Sequence, residues 1–341
     1  MKQVFDQEIV LKLKQFLSEP KKIIVTTHYK PDGDALGSSL AWASYLEKKG
    51  HEVTIISPSE FPEFLSWMHK SETVIDFILH PKQAKTAFEN ADFICCLDFN
   101  DPQRVEGMQN LLVSNTIPKM LIDHHLEPKD FCEFQFSDPK IASTCEMIYH
   151  LINELGDANT IDQNQAECIY AGIMTDTGSF RFSSVTSTTH RVVAELLDAG
   201  ARNSFIHEKI YDTSSENRLR FLGHSLLNEM KVIESLNTVY FKATKEDMQK
   251  FKHASGDSEG IVNFGLSIKG IRFAAFFSER DNIVKISFRS KGDFSAKDFA
   301  MNHFEGGGHK NAAGGRSNLS LQETVEKFET LLTNYSESLT S

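Results

Sequence analysis

Short apolar runs alternate with helix-like segments through the first half of the sequence. The strand-like runs are KKIIVTTH (21–28), HEVTIIS (51–57), ADFICCLD (91–98) and PKMLIDHH (118–125). Helical spacing follows the first run up to Gly50, and residues 143–155 and 162–174 show the same spacing. Strands that alternate with helices predict a parallel sheet, so the expected fold class is α/β.

The length of the chain and a change of pattern near its middle indicate two domains. The chain has 341 residues, which is more than one core typically spans. The pattern is almost wholly helical after residue 190, and strand-like runs resume at NTVYFKA (237–243). We therefore expect a parallel-sheet domain over 1–190, a helical connection over 191–234 and a smaller α/β domain over 235–341.

The charge and hydropathy of the chain limit its partners and location. The formal net charge is −11, and the basic stripe of proteins that wrap long duplex nucleic acid is missing. A nucleotide substrate would therefore be short and bound locally. No apolar run approaches the roughly 20 residues that a membrane helix needs, and the amphipathic N-terminus lacks a signal-peptide core. We expect a cytoplasmic protein without a membrane partner, and the sequence leaves its oligomeric state open.

The cysteines argue against a thiolate or disulfide framework. There are five, an odd number, and none forms a CxxC pair. Cys95 and Cys96 lie inside an apolar run, where we expect them to be buried as small hydrophobic residues.

Acidic and imidazole side chains follow three of the predicted strands. They are His28 after the first, Asp98 after the third, and Asp123, His124 and His125 after the fourth. The carboxyl ends of parallel strands meet at one edge of a sheet, which is where α/β proteins bind ligands. Burying these acids together without cations would be costly, so the sequence predicts one or two divalent metal ions.

Oxygen and nitrogen donors without sulfur suit Mn²⁺, Mg²⁺, Fe²⁺ or Co²⁺ better than a structural zinc. A pair of such ions can activate water and neutralise a phosphoryl group during in-line attack.

Two turns contribute further candidates, each with a simpler interpretation. In HYKPDGDA, Pro31 and Gly33 form a turn signal, and Asp34 could merely cap the helix that follows. In TDTGSFR, Asp176 follows an apolar helix and could be an ordinary turn residue. Arg181 could meet an anionic substrate group or be a solvated surface arginine.

The only glycine cluster in the chain is EGGGHKNAAGG, residues 305–315. The three glycines before His309 can form a nest of main-chain N–H groups that binds an anion, although a plain hairpin or linker is the alternative. Arg289 and Ser290 end the strand-like run KISFRS, and an arginine there could bind phosphate in bidentate fashion.

Taken together, HYKPDGDA, Asp98 after an apolar strand, DHH, TDTG and GGGHKNAAGG resemble the DHH phosphoesterase family with its C-terminal DHH-associated domain. The motifs run in the family order from about residue 20 to 335. Within the family, the compact two-domain layout is most similar to the bacterial bifunctional oligoribonucleases. Those enzymes degrade very short RNA (nanoRNA) and dephosphorylate 3′-phosphoadenosine 5′-phosphate (pAp).

The resemblance implies a dimetal site, usually with manganese, and magnesium is the alternative. His28 and Asp32 would hold the first metal, and Asp98 would bridge both ions. The second metal would be held by Asp34, His124 and Asp176. His125 would face the substrate phosphate, and Asp123 would orient the neighbouring histidine. The nucleotide would be bound by Arg289, Ser290, Gly307, Gly308 and His309.

The expected function is therefore metal-dependent hydrolysis of nanoRNA to mononucleotides and of pAp to AMP. Three alternatives remain open: a phosphodiesterase for linear or cyclic dinucleotides, a pyrophosphatase or polyphosphatase, and a non-catalytic nucleotide-binding module.

Overall fold

The chain folds into two compact units in a computed structural model that describes residues 3–254 and 256–340. The first unit extends to Thr213, and the second begins at Ser214. Within the described residues, each unit contains one six-stranded sheet. The expected α/β class is confirmed.

The sheet of the first unit is entirely parallel over the described residues. Its strands are β1 (Lys22–Thr26), β2 (Glu52–Ser57), β3 (Ile75–Asp76), β4 (Phe93–Leu97), β5 (Lys119–Asp123) and β6 (Phe134–Ser137). The strand order is β3-β2-β1-β4-β5-β6. β2 and β3 thus extend the sheet on one side of β1, and the later strands β4, β5 and β6 extend it on the other side. This reversal places a crevice beyond the carboxyl ends of β1 and β4.

Helices cover both faces of this sheet. They are α1 (Gln7–Phe16), α2 (Gly33–Lys48), α3 (Pro81–Asn90), α4 (Gln109–Ser114), α5 (Thr144–Glu154), α6 (Gln163–Asp176), α7 (Ser187–Asp198) and α8 (Asn203–Tyr211). On β1, Ile23 and Val25 pack into the core formed with α1, α2, α5 and α6. Ile24 points to the other face and packs with Phe88 of α3 and Leu112 of α4. Burial on both faces explains why the strand sequences are continuous apolar runs.

The cysteine prediction is confirmed, because Cys95 and Cys96 of β4 are both fully buried on opposite faces. The two outermost strands, β3 and β6, were not predicted. β3 is only two residues long, and β6 begins after a polar loop, so neither has the length or apolar content that made the central strands recognisable.

The second unit has a mixed sheet with the order β11-β12-β10-β9-β8-β7. In chain order its elements are α9 (Glu216–Asn228), β7 (Met230–Ile233), β8 (Thr238–Ala243), α10 (Lys245–Lys250), α11 (Ile261–Leu266), β9 (Phe273–Glu279), β10 (Val284–Ser290), α12 (Ala296–His303), β11 (Gly307–His309), β12 (Ala312–Ser317), α13 (Leu321–Leu332) and α14 (Ser336–Thr340). β8 and β9 are parallel, and the other neighbours are antiparallel. A phenylalanine-rich core fills the face that α12 and α13 cover.

The segment expected to be a helical connection is mostly helical up to Asn228, but it then forms the strand β7 (Met230–Ile233), so the expectation is wrong for its last residues; the segment is shared by the two units. Residues 191–213 lie in the first unit, and residues 214–234 lie in the second. The functional division at residues 190 and 235 stays a prediction. Over the described part of the chain, no helix combines the length and the apolar character needed to cross a membrane.

Candidate metal centre and substrate-binding residues

The candidate site lies where the strand order of the first sheet reverses. His28 follows β1 by two residues, and Asp98 follows β4 directly. β1 and β4 are hydrogen-bonded neighbours, from Ile23 with Phe93 to Thr26 with Cys96. The topology therefore brings together two side chains that are 70 positions apart in the sequence.

One group of potential ligands consists of His28, Asp32 and Asp98, whose donor atoms all lie within 4.8 Å of one another. His28 Nε2 is 3.5 Å from Asp98 Oδ2. Asp98 is buried, and its backbone adopts the left-handed region with φ 65°. Aspartate tolerates this conformation better than most residues, and strained backbone of this kind is concentrated at functional sites.

A second group consists of Asp34, His124 and Asp176, which satisfy the same 4.8 Å limit. His124 Nε2 lies 3.5 Å from Asp176 Oδ2 and 3.9 Å from Asp34 Oδ2. The same nitrogen is 3.7 Å from Asp98 Oδ1. Asp98 therefore lies between the two groups, with one carboxylate oxygen facing each.

Main-chain carbonyls orient two of the histidines. His28 Nδ1 is 2.9 Å from the Tyr29 carbonyl oxygen, and His124 Nδ1 is 3.3 Å from the Ile141 carbonyl oxygen. A carbonyl only accepts hydrogen bonds, so Nδ1 carries the proton in both rings. Nε2 is thereby presented to the carboxylates, as in metal-binding histidines whose other nitrogen is held by an acceptor.

The turn before α2 differs from the expectation in one respect. The helix begins at Gly33, and its N-cap is Asp32, not Asp34. Asp32 Oδ1 accepts hydrogen bonds from the main-chain N–H groups of Asp34 and Ala35. Asp32 thus caps the helix and still belongs to the first ligand group. The partial positive charge of the helix terminus favours carboxylates at this position.

Asp34 is held by a helix that sequence reasoning did not connect with the site. Its Oδ2 accepts from Thr144 N at 2.7 Å, and its Oδ1 accepts from Cys145 N at 2.8 Å. The hydroxyl of Thr144 donates to Asp98 Oδ1 at 2.8 Å. The sequence STCE (143–146) indicates the start of this helix through the Ser143 cap. It carries no signal for what the helix start contacts.

Glycines allow α2 and α6 to approach closely enough to bring Asp34 and Asp176 to one place. A Cβ on Gly37 would lie 2.5 Å from the Cys168 carbonyl oxygen. A Cβ on Gly172 would lie 2.2 Å from Cys145 Sγ and 2.9 Å from Asp34 Oδ1. These positions were also missed, because a glycine inside a helical pattern does not reveal which element it contacts.

The electrostatics of the cluster are those of crowded, buried acids. Burial raises the pKa of Asp34 well above its usual value, and the charges of Asp98 and Asp176 raise it further. Burial likewise raises the pKa of Asp176 to about 7 despite the opposing effect of His124. For Asp98, the contact with His28 and the other imidazoles outweighs burial and lowers the pKa. For His124, burial acts to lower the pKa, but the surrounding carboxylates raise it to about 9.

The donor set fits divalent metal ions. Among the described residues, the ion-pair partners of Asp34 and Asp98 are histidines only, with no lysine or arginine. Imidazoles compensate these carboxylates only by taking up protons, whereas a divalent cation would neutralise them directly.

Asp123 and His125 form a pair at the end of β5. His125 Nδ1 lies 2.6 Å from Asp123 Oδ1, and the main-chain N–H of His125 donates to Asp123 Oδ2 at 3.1 Å. Asp123 is fully buried. His125 Nδ1 is also 3.8 Å from Asp98 Oδ1, so this pair adjoins the ligand cluster.

The remaining predicted residues lie apart from these ligand groups or in the second unit. Arg181 is exposed, and its Nε donates to the Gly178 carbonyl oxygen at 2.8 Å. Ser290 is buried, donates to the Phe294 carbonyl oxygen at 2.6 Å and accepts from Asn311 Nδ2 at 2.8 Å. It therefore supports the loop after β10.

The glycine cluster forms a hairpin of β11 and β12, and its role as an anion-binding nest stays a prediction. Gly307, Gly308 and His309 make up β11 and pair with β12. Ala312 is paired with His309 on one side and with Arg289 of β10 on the other. Residues paired in this way share a face of the sheet, so Arg289 and His309 lie on one face, separated by a single small residue.

Comparison with known proteins agrees with this architecture. The family model for the DHH family, N-terminal domain, matches residues 22–173, and the model for the DHHA1 domain matches residues 239–338. Fold and site together define an α/β phosphoesterase that combines a DHH domain with a DHHA1 domain. The chain belongs to the DHH family.

Three relatives illustrate the similarity. The bifunctional oligoribonuclease and PAP phosphatase NrnA of Thermus thermophilus is 30% identical over 310 residues, 89% of this chain and 87% of that protein. The crystal structure of an exopolyphosphatase-related protein from Bacteroides fragilis matches with a TM-score of 0.97 and 39% identity over the full length of both chains. RecJ from Thermus thermophilus in complex with Mn²⁺ shares the fold, with a TM-score of 0.58 and 13% identity over 97% of this chain and 54% of RecJ.

Proposed function

We propose that this protein hydrolyses short single-stranded RNA to mononucleotides and removes the 3′ phosphate of pAp. The observation that carries the proposal is the position of Asp98 between two groups of donors, one with His28 and one with His124. That arrangement suits a pair of metal ions and hence phosphoryl chemistry. The similarity to bifunctional oligoribonucleases and PAP phosphatases supports the choice of substrates.

Each side chain of the centre has a proposed role. His28 and Asp32 would hold one ion, Asp98 would bridge, and the other ion would be held by Asp34, His124 and Asp176. Mn²⁺ is the expected metal, and Mg²⁺ accepts similar ligands. When bound, the two ions would lower the pKa of water and neutralise charge on the phosphoryl oxygens.

In the pair formed by Asp123 and His125, His125 would meet the substrate and Asp123 would orient the His125 ring. Because Asp123 accepts the Nδ1–H of His125, the proton on that nitrogen is held in place. When protonated, His125 Nε2 could donate to a phosphoryl oxygen and to the negative charge that develops on it. This role needs a rigid ring, which the second contact between Asp123 and the His125 main chain provides.

The second unit would supply the nucleotide contacts. Arg289 and His309 share one face of its sheet, where a guanidinium and an imidazole could bind the terminal phosphate of a short substrate. Ser290, Gly307 and Gly308 complete this proposed surface, and Arg181 is a further candidate from the first unit. A phosphate site of this kind would limit substrate length. The expected location remains the cytoplasm.

A time course with Mn²⁺ on several substrates in parallel tests the proposal. They are a 5′-phosphorylated RNA dinucleotide, a long single-stranded RNA, pAp, a linear dinucleotide messenger, pyrophosphate and polyphosphate, with the products separated. We expect fast turnover of the RNA dinucleotide and pAp and slow attack on long RNA. Consumption of pyrophosphate or polyphosphate alone would show that the substrate assignment is wrong. No turnover of any substrate, with nucleotide binding retained, would favour a binding module.

A further inference from the structure

The amino terminus of α5 contacts one carboxylate from each ligand group. The main-chain N–H groups of Thr144 and Cys145 donate to the two oxygens of Asp34, at 2.7 and 2.8 Å. The Thr144 hydroxyl donates to Asp98 Oδ1 at 2.8 Å. Thr144 is fully buried, so water does not compete for these contacts. One residue therefore holds Asp34 and Asp98 relative to each other.

We propose that Thr144 is a positioning residue of the metal centre, whose hydroxyl sets the orientation of the Asp98 carboxylate. The inference rests on the proposed function, in which Asp98 is the shared ligand of two ions. In that function Thr144 is not one of the proposed ligands, so its hydroxyl has no other assigned role.

The two oxygens of Asp98 explain why its orientation matters. Oδ2 faces His28 at 3.5 Å, whereas Oδ1 faces His124 at 3.7 Å. If Asp98 held one ion through each oxygen, rotation about its last side-chain bond would lose this division. The Thr144 hydroxyl contacts Oδ1 alone, so it opposes that rotation.

A neutral hydroxyl is suited to this task. A lysine or arginine at the same place would neutralise Asp98 and compete with a metal ion. The hydroxyl proton instead occupies one lone pair of Oδ1 and leaves the other for coordination. The backbone of Asp98 is held separately, because its N–H donates to the Ile122 carbonyl oxygen at 3.0 Å. Thr144 thus restrains the rotation of the Asp98 side chain, which the main-chain contact does not.

Substitutions at Thr144 can remove the hydroxyl contact with Asp98 and leave the main-chain contacts with Asp34 in place. Thr144→Val keeps the shape of the side chain and removes the hydroxyl, and the main-chain N–H groups that hold Asp34 remain. Thr144→Ser keeps the hydroxyl. A matched control is Thr324→Val in the second unit, where the hydroxyl of another fully buried threonine donates to Ser317 Oγ at 2.9 Å and has a weaker contact with the Leu319 carbonyl oxygen at 3.5 Å. That control loses an equivalent contact and leaves both ligand groups intact.

The experiment is a calorimetric titration of Mn²⁺ into each metal-free protein, with circular dichroism to check folding. We expect Thr144→Val to bind at least one Mn²⁺ roughly 10- to 100-fold more weakly, as is typical when a group that orients a ligand is lost. Thr144→Ser should recover most of the affinity, and Thr324→Val should bind as the wild type does. If the valine variant does not fold, Thr144→Ser and Thr144→Ala make the same comparison, since they differ only in the hydroxyl.

The outcomes separate this proposal from the proposed function. Wild-type affinity for both ions in a folded Thr144→Val variant, or equal affinities of the serine and alanine variants, would overturn the positioning role and leave the metal centre intact. If the wild-type protein binds no Mn²⁺, the metal centre itself is wrong, and the role of Thr144 is overturned with it.

Discussion

Asp123 holds His125 through both the ring and the main chain of that residue. Its Oδ1 is 2.6 Å from His125 Nδ1, and its Oδ2 accepts the His125 main-chain N–H at 3.1 Å. Two contacts from one fully buried carboxylate leave the imidazole little freedom to turn. In a hydrolase, such a pair fixes which ring nitrogen carries the proton and which meets the substrate.

Asp123→Asn tests this pairing. The amide keeps the size of the side chain but cannot accept at both oxygen positions, so His125 loses either its ring contact or its main-chain contact. We expect kcat on the RNA dinucleotide to fall roughly 10- to 100-fold, with KM and Mn²⁺ affinity close to those of the wild type. Steady-state kinetics and a Mn²⁺ titration measure the two effects.

Asp6→Asn is the matched control for that variant. Asp6 also accepts a main-chain N–H, that of Glu8 at 2.8 Å, but it caps α1 and lies outside the ligand groups. Its substitution should leave kcat unchanged. If Asp123→Asn lost Mn²⁺ in proportion to its loss of kcat, Asp123 would be a ligand, and its orienting role would be wrong.

Asp98→Ala tests the shared ligand. We expect hydrolysis to fall to the uncatalysed background, because the proposed shared ligand of the two ions is lost. The chain should remain folded, since the substitution removes one of several buried carboxylates that raise the pKa of Asp34. Product formation and the circular dichroism spectrum measure the two effects. Retained hydrolysis would rule out the bridging assignment.

Metal-dependent stability gives a second measure for the same variant. An ion that binds only the folded state stabilises it by about 2.7 kcal/mol at 100 times its Kd. The Tm of the wild-type protein should therefore rise on addition of Mn²⁺ and fall back with a chelator. In Asp98→Ala the rise should be much smaller. An equal rise in both proteins would show that Mn²⁺ binds elsewhere.

The sequence predicted the parts of the site that lie at strand ends. His28, Asp98 and His124 follow apolar runs, and a parallel sheet leaves only one edge for them. The outer strands β3 and β6 were missed because short edge strands carry little apolar signal. The contact between Thr144 and Asp98 was also missed. It depends on how α5 packs against the sheet, and a capping motif indicates where a helix starts but not what its start contacts.

Close helix packing was the other feature that the sequence did not reveal. Gly172 lies in an otherwise ordinary helical pattern, yet a Cβ there would lie 2.2 Å from Cys145 Sγ. Gly223 lies in a similar pattern on α9, and a Cβ there would have no neighbour within 4 Å. Both glycines lie inside helical patterns in the sequence, and only the tertiary structure shows which of them is tightly packed.

Gly172→Ala should therefore destabilise the protein and disturb the metal centre. The added methyl group would press on Cys145 and on Asp34 Oδ1, and overpacking of this kind costs about 1–3 kcal/mol. Urea unfolding and Mn²⁺ affinity should both decline. Gly223→Ala is the control, and we expect it to stabilise by up to about 1 kcal/mol because alanine favours the helix. Equal effects of the two substitutions would contradict the packing argument.

An ion pair between Glu167 and Arg202 links α6 to the turn before α8. Its contribution to the stability of the fold should depend on pH. Arg202 Nε donates to Glu167 Oε1 at 2.6 Å, and Nη2 donates to Oε2 at 3.1 Å. Burial acts to raise the pKa of Glu167, but these contacts outweigh it and lower the pKa below its usual value. A carboxyl group with a lowered pKa in the folded state stabilises that state above its unfolded pKa, about 4.3 for glutamate. The contribution is lost as the pH falls through the lower, folded value.

Glu167→Gln should therefore lower the Tm at neutral pH. The difference in Tm between the variant and the wild type should shrink below about pH 4, because the native carboxyl group then takes up a proton. Thermal melts of both proteins between neutral and acidic pH measure this convergence. The control is Glu216→Gln on α9, where an exposed pair with Arg220 at 2.7 Å should contribute little at any pH. A Tm difference for Glu167→Gln that stays constant as the pH falls would mean that its cause is the shape of the side chain and not its charge.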